Sequence, residues 1–206
     1  MFTNRTAAGQ QLAARLQRRG IGADLVLAIP RGGLPVGRPV ADALGVPLDV
    51  VVAKKLGAPG NPELAVAAVA DDGTLWRNES LIGALDLTEE YIATERERER
   101  AAAKEKFDRY RADRPPLDLA GRRVVVVDDG LATGATMRAC LQRVVDGGAS
   151  SVVVAVPVGS PDTVAALKSV ADTVVALERP ADFRAVGQYY RDFGQVSDDE
   201  AMGYLQ

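Results

Sequence analysis

One run near the middle of the chain constrains the fold more than any other: Val124-Val125-Val126-Val127-Asp128-Asp129-Gly130-Leu131-Ala132-Thr133-Gly134-Ala135-Thr136. Four consecutive valines cannot present a polar face, so they read as a strand buried on both sides, the usual state of a strand in a parallel sheet. Two carboxylates stand at its C-terminal end. A small-residue loop follows, and Met137 to Val145 then reads as a helix. In open α/β sheets ligands bind beyond the carboxyl ends of the strands. A small-residue loop at a helix N-terminus offers free N–H groups and a favourable dipole to a phosphate. The run therefore reads as an anion cradle beside an acidic pair; the alternative is a buried strand with an ordinary capping loop.

Two common phosphate loops are excluded. The P-loop pattern G-x-x-x-x-G-K-[ST] does not occur, and neither does the dinucleotide turn G-x-G-x-x-G. The run instead resembles the signature of the type I phosphoribosyltransferases: an apolar strand, two acidic residues, then a Thr-Gly-x-Thr loop. The resemblance implies an α/β fold, a largely parallel sheet flanked by helices, and chemistry on phosphoribosyl pyrophosphate. It implies that Asp128 and Asp129 hold the ribose hydroxyls. Gly130, Leu131, Ala132, Thr133, Gly134, Ala135 and Thr136 would surround the 5-phosphate. A carboxylate accepts well from sugar hydroxyls, and its charge favours the cation that develops when a bond to an anomeric carbon breaks.

Composition narrows the chemistry further. The chain has 206 residues, 47% of them hydrophobic, enough for one α/β domain over 1–206. Its net charge of −3 gives no electrostatic footprint for nucleic acid. There is no histidine, which removes Ser-His-Asp and Cys-His catalysis and every His-based metal site. The single cysteine, Cys140, falls on the helix after the loop and reads as a small core residue. No apolar run approaches a membrane span and no signal peptide is visible, so the expectation is a soluble cytoplasmic protein.

Upstream, 6–19 reads as a packing helix, and Leu25 to Ile29 as a buried strand running into Pro30-Arg31-Gly32-Gly33. Two glycines let backbone approach a ligand closely, and the Arg31 fork suits phosphate oxygens. The resemblance places a pyrophosphate loop at Arg31, Gly32 and Gly33, with Arg31–Gly32 a candidate for a strained or cis peptide. Leu34 to Leu44 reads as a helix in which Pro39 predicts a bend or a late start. Leu48 to Ala53 reads as the next strand, with Lys54 and Lys55 at its C-terminal end facing the same crevice and followed by a Gly/Pro segment that reads as mobile. The resemblance implies that Lys54 and Lys55 neutralise pyrophosphate under a closing lid.

An insertion is expected over 56–114, comprising that flexible loop, a hairpin and a long helix. Leu64–Ala70 and Thr74–Trp76 read as the hairpin around Asp71-Asp72-Gly73, with both aspartates as turn residues. Residues 88–113 read as a helix capped by Thr88, its buried edge Ala103, Phe107 and Tyr110 and its arginines solvated, with one of them a candidate for reaching pyrophosphate. Downstream, Ser151–Pro157 and Thr173–Leu177 read as strands around a helix from Pro161 to about Val170 capped by Ser160. The tail over 178–206 carries Phe183, Tyr189, Tyr190 and Phe193 and loosely resembles the segment that forms part of the base-covering hood in hypoxanthine-guanine phosphoribosyltransferases.

The resemblance also has a departure. The 6-oxopurine enzymes place an Asp just before Thr-Gly, where this chain has Ala132, and an aromatic that would stack the purine is replaced near Thr173. The expected activity is transfer of a 5-phosphoribosyl group to a nitrogenous acceptor, a purine among the candidates, with release of pyrophosphate. Mg²⁺ is expected as cofactor, held by substrate oxygens and water rather than directly by the protein. A homodimer without nucleic-acid or membrane partners is implied. The alternatives are a non-catalytic regulator that binds phosphoribosyl pyrophosphate or a nucleotide on the same fold, and a hydrolase with water as acceptor.

Overall fold

The structure, a computed structural model, describes residues 1–112 and 114–206. Its centre is a five-stranded, all-parallel sheet in the order β2-β1-β6-β7-β8, formed by β1 (Leu25–Ala28), β2 (Leu48–Val50), β6 (Arg123–Val127), β7 (Ser151–Val158) and β8 (Thr173–Glu178). Leu25, Leu27, Val124 and Val126 face one core, with α5 (Ala135–Asp146) and α6 (Pro161–Leu167). Val26, Ala28, Val125 and Val127 face the other, with α1 (Arg5–Arg18) and α2 (Gly33–Leu44). Period-2 alternation with both faces covered is why the central strands are apolar throughout.

The expected order of strand–helix–strand, insertion, then alternating strands and helices is the one observed. β1 and β6 pair in register, Ala28 opposite Val127, so the two loops that leave them lie side by side. Ser160 caps α6, although the helix ends at Leu167 rather than near Val170. The helix α2 starts at Gly33 and runs through Pro39 without a late start, with Pro35 in its first turn.

The run Leu48–Ala53 is not one strand. The chain leaves the parallel sheet after Val50, and β3 (Ala53–Ala58) joins β4 (Asn61–Ala70) and β5 (Leu75–Arg77) in a separate antiparallel sheet of order β3-β4-β5. Val51 and Val52 are buried in opposite cores at this corner, so apolarity continues across the break and hides it. The segment after Lys55 that composition marks as mobile is the β3–β4 hairpin, with Gly60 at φ +73°. The second hairpin turns at Asp71-Asp72-Gly73 as expected.

Beyond this ribbon lie α3 (Glu79–Ala84) and α4 (Glu89–Arg111). The helix α4 is capped by the Thr88 hydroxyl, which accepts from the Tyr91 N–H; the last residue of the expected span, Asp113, lies outside the described residues. Its charges pair at i,i+3, Arg98 with Glu95 at 2.6 Å and Arg100 with Glu97 at 3.6 Å. Ala103 and Tyr110 are buried and Phe107 partly so. The tail passes through a 3₁₀ turn (Val186–Tyr189) and ends in α7 (Asp198–Gly203). Among the described residues no helix is long and apolar enough to cross a membrane.

Candidate functional site

The site lies where the loops after β1 and β6 meet beyond the carboxyl ends of the strands. The Ile29 N–H donates to the Val127 carbonyl at 2.9 Å, carrying the register one residue past β1. The next bond, Pro30–Arg31, is cis, one residue earlier than the Arg31–Gly32 position expected. The glycines explain the packing of this loop. A Cβ on Gly32 would lie 2.0 Å from Asp129 Oδ2, and one on Gly33 would lie 2.8 Å from the Val127 carbonyl oxygen. Both glycines thus let the first loop press directly against the acidic strand end, a closeness any side chain would prevent.

The second loop is fastened from beneath. Leu131 is buried; its N–H donates to Val158 and its carbonyl accepts from the Ser160 N–H, both at 2.9 Å. It therefore supports the loop and has no backbone group left over for a ligand. The Thr163 hydroxyl donates to the Ala132 carbonyl at 2.6 Å. Gly134 takes φ +75°, a left-handed conformation that turns the chain into α5. Among the described residues none of the N–H groups from Ala132 to Met137 donates to a protein acceptor. Six donors at the positive end of a helix form an anion cradle.

Two cavities open here. One, of about 190 Å³, is lined by Gly130 to Met137 together with Lys55, Asp128 and Val186. The other, of about 330 Å³, is lined by Pro30, Arg31, Gly32, Lys54, Lys55, Lys106, Asp128, Asp129 and Thr136 among others. Asp128, Lys55 and Thr136 border both, so the two spaces meet over the Asp128 carboxylate. Lys54 and Lys55 reach this place from the start of β3, not from the end of a parallel strand. Lys55 pairs with Glu63 at 3.3 Å in an exposed contact. Among the described residues Arg31 and Lys54 have no carboxylate partner within ion-pair distance.

The acids differ in their surroundings. Asp128 Oδ1 accepts from the Asp129 N–H at 2.8 Å. Burial and the neighbouring Asp129 charge push the Asp128 carboxyl well up from the usual range. Burial also raises Asp129, but Arg5 opposes it by donating from Nε to Oδ2 at 2.7 Å. Arg5 also donates to the Gly194 carbonyl at 2.8 Å and lies 3.8 Å over the Phe193 ring. The Tyr190 hydroxyl donates to the Asp129 carbonyl at 2.7 Å.

Arg5 and Lys106 are site residues that sequence reasoning missed. The helix α1 looked like packing alone, yet Arg5 sits in its first turn, where a cation opposes the helix dipole and so signals another partner. On α4 the expectation looked to an arginine, but Lys106 is the side chain that enters the cleft. It shares a face with Ala103 and Tyr110, and a charge on a buried stripe was the available signal. The tail aromatics do not line either cavity. Phe183 stacks on Tyr189 at 5.7 Å, and Tyr190 packs on Phe2 at 5.4 Å and Phe193 at 5.0 Å. The tail side chain that borders the loop after β6 is Val186. Cys140 is buried, as expected of a core residue.

Among the described residues no group of three or more acidic, His or Cys side chains could hold a metal ion. The donor set near the cleft is the acid pair, with one Asp128 oxygen and one Asp129 oxygen already engaged by protein donors. That set suits a hydrated Mg²⁺ carried by a diphosphate better than a metal held in a protein cage.

The phosphoribosyl transferase domain model matches residues 3–193. A Mycobacterium tuberculosis (strain H37Rv) protein named "Putative phosphoribosyl transferase" is 43% identical over 205 residues, covering 100% of this chain and 46% of its own length. The chain thus spans about half the length of the curated relatives it matches. Among solved structures, the protein TT1426 from Thermus thermophilus is 46% identical with a TM-score of 0.85, covering 100% of this chain and 97% of that one. A purine phosphoribosyltransferase from Pyrococcus horikoshii shares the fold, with a TM-score of 0.50 at 21% identity over 92% of this chain and 90% of that one. With its parallel sheet, its acidic strand end and its helix-capping anion loop, the chain belongs to the phosphoribosyl transferase family.

Proposed function

We propose that the chain transfers the 5-phosphoribosyl group of phosphoribosyl pyrophosphate to a nitrogenous acceptor and releases pyrophosphate. One observation carries this reading: two anion-friendly cavities of different character meet over a carboxylate. The N–H cradle of Ala132 to Met137 suits a terminal monophosphate. The cleft bordered by Arg31, Lys54 and Lys106 suits a more highly charged diphosphate. Asp128 between them suits sugar hydroxyls. A donor with a monophosphate at one end, a diphosphate at the other and a sugar between them matches that order. Family membership supports the same reading.

In this reaction the bond from the anomeric carbon to the diphosphate oxygen breaks, and its electron pair leaves with the diphosphate. The acceptor nitrogen supplies the pair for the new bond, and its proton passes to water. Arg31, Lys54 and Lys55 stabilise the charge that builds on the leaving group, while the Asp128 carboxylate faces the developing cation on the sugar. Mg²⁺, when bound to the diphosphate, adds neutralising charge to it.

The test is calorimetric titration with phosphoribosyl pyrophosphate, with and without Mg²⁺, followed by pyrophosphate release across a panel of bases. Magnesium-dependent binding and base-dependent release are expected. Binding without release for any acceptor would favour the regulator. Ribose 5-phosphate formed without a base would favour the hydrolase. No binding at millimolar concentration would overturn the donor assignment.

A further inference from the structure

The helix α4 is mostly solvated, with Ile92, Ala103, Tyr110 and Arg111 its buried residues. Several cations along it are answered by carboxylates: Lys104 pairs with Asp108 at 2.5 Å, Arg109 with Asp198 at 3.1 Å and Arg111 with Asp49 at 2.9 Å. Among the described residues Arg96 and Lys106 are the cations of α4 with no ion-pair partner; Arg96 donates to the Gly73 carbonyl at 2.9 Å, and Lys106 is the one that enters the cleft. It is half-buried, and its Nζ reaches inward to the Pro30 carbonyl at 3.4 Å, with the Tyr110 ring centroid 5.7 Å away. Among the described residues no carboxylate lies within ion-pair distance of it. Burial and the Lys54 charge, with a smaller contribution from Arg31, hold its ammonium below the usual lysine range, against the opposing pull of Asp198 and, less, of Asp128.

An ammonium taken partly out of water and set beside two other unpaired cations is costly, and its hydrogen bond to a main-chain carbonyl is long. Exposed alternatives are one helical step away, since Lys104 and Glu105 are both solvated. An anion entering the cleft would reverse the balance, because each of the three cations gains a partner. The anchoring carbonyl belongs to the loop that ends in Arg31 and Gly32, so the helix delivers this charge to the same wall of the cleft.

We propose that Lys106 is a direct ligand of the diphosphate, delivered by the insertion, and that with Arg31 and Lys54 it makes this cleft select a diphosphate over a single phosphate. The proposal rests on the donor reading above and adds to it a residue that the strand-end loops do not supply.

The experiment titrates wild-type protein, Lys106→Gln and Lys106→Arg, each in Mg²⁺ buffer, with inorganic pyrophosphate, phosphoribosyl pyrophosphate and ribose 5-phosphate; thermal melts check that the variants fold. Lys106→Gln is expected to weaken both pyrophosphate ligands roughly tenfold or more while leaving ribose 5-phosphate within about twofold, and Lys106→Arg to recover most of the loss. Pyrophosphate binding unchanged in Lys106→Gln would overturn the assignment, as would an equal loss for ribose 5-phosphate, which would make the lysine a support for the loop. Wild-type protein that takes pyrophosphate but not phosphoribosyl pyrophosphate would instead overturn the donor reading, and the pyrophosphate titration would still decide the role of Lys106.

Discussion

Arg5 and Asp129 are 124 residues apart in sequence, and their side chains meet at 2.7 Å with 12% and 16% of their surfaces exposed. The pair ties the first turn of α1 to the end of the acidic strand. Because Arg5 opposes the effect of burial on Asp129, Arg5→Gln is expected to raise that carboxyl further. The pH above which donor binding reaches its plateau should then move upward, since Asp129 would charge later as pH rises. Titrations with phosphoribosyl pyrophosphate from about pH 5 to 8 check this; superimposable profiles for wild type and variant would refute it. The broken, mostly buried pair should also cost about 3 kcal/mol in a urea melt.

Gly32→Ala should be more damaging than its size suggests. Its new methyl would sit 2.0 Å from Asp129 Oδ2, so either the carboxylate swings off Arg5 or the loop lifts away. Donor affinity is expected to fall roughly tenfold or more, with about 2 kcal/mol lost from stability. Affinity within about twofold of wild type would show that the loop is not held against the acid pair in solution.

Gly134→Ala addresses the other cavity. A φ of +75° costs a residue with a Cβ about 1–2 kcal/mol, and the methyl would meet Thr163 Cγ2 at 2.6 Å. Ribose 5-phosphate binding should weaken while pyrophosphate binding is spared. The reverse pattern would mean that the two cavities take the opposite ends of the donor.

Asp71 carries a prediction about stability rather than ligands. Its carboxylate is buried against Arg143 of α5 at 2.7 Å, and its other oxygen has no partner among the described residues. Burial pushes this carboxyl up to about 6 from 3.8. Between about pH 4 and pH 6 the folded chain therefore keeps a proton that the unfolded chain has released. Stability should fall as pH rises through that window, by on the order of 2 kcal/mol. Urea midpoints at about pH 4.5 and about pH 7 for wild type and Asp71→Asn measure it, and the slope should be shallower in the variant by that share, with the raised carboxyls of Asp128 and Asp129 leaving the remainder. At neutral pH Asp71→Ala should cost about 3 kcal/mol, because Arg143 would be left buried with only the longer contact to Asp72 at 3.8 Å.

Much of this arrangement was legible in the sequence because it is written locally. Val124 to Val127 announced a doubly covered strand, Thr88 and Ser160 announced their caps, and Asp71-Asp72-Gly73 announced a turn. The acid pair and the loop to Thr136 were found from one contiguous run. What escaped is non-local or lies where two signals coincide. Arg5 reads as an ordinary helix residue until the tail and the strand end are folded onto it. Lys106 is one charge among many on α4, singled out only by the face it occupies. The strand break after Val50 left no polar residue to mark it, since both cores claim the corner. The tail's resemblance to a base-covering segment did not foretell that its aromatic rings pack on one another and on Phe2.

The side-by-side placement of β1 and β6 has a wider consequence. Neighbours in the sheet are separated in the chain by β2, the antiparallel ribbon and the helices around it, so that whole stretch is a detour leaving and re-entering the same pair of strands. Part of that stretch belongs to the frame, since β2 pairs with β1, α2 covers one face of the sheet and Arg111 of α4 is fastened to Asp49 of β2; the antiparallel ribbon is the part that stands outside the parallel sheet. Yet Lys54, Lys55 and Lys106 all come from the detour, whereas the N–H cradle and the acids follow the sheet strand β6. The fold thus draws the walls of the cleft from two sources, the acids and the N–H cradle from the end of the parallel sheet and the three lysines from the excursion between its paired strands.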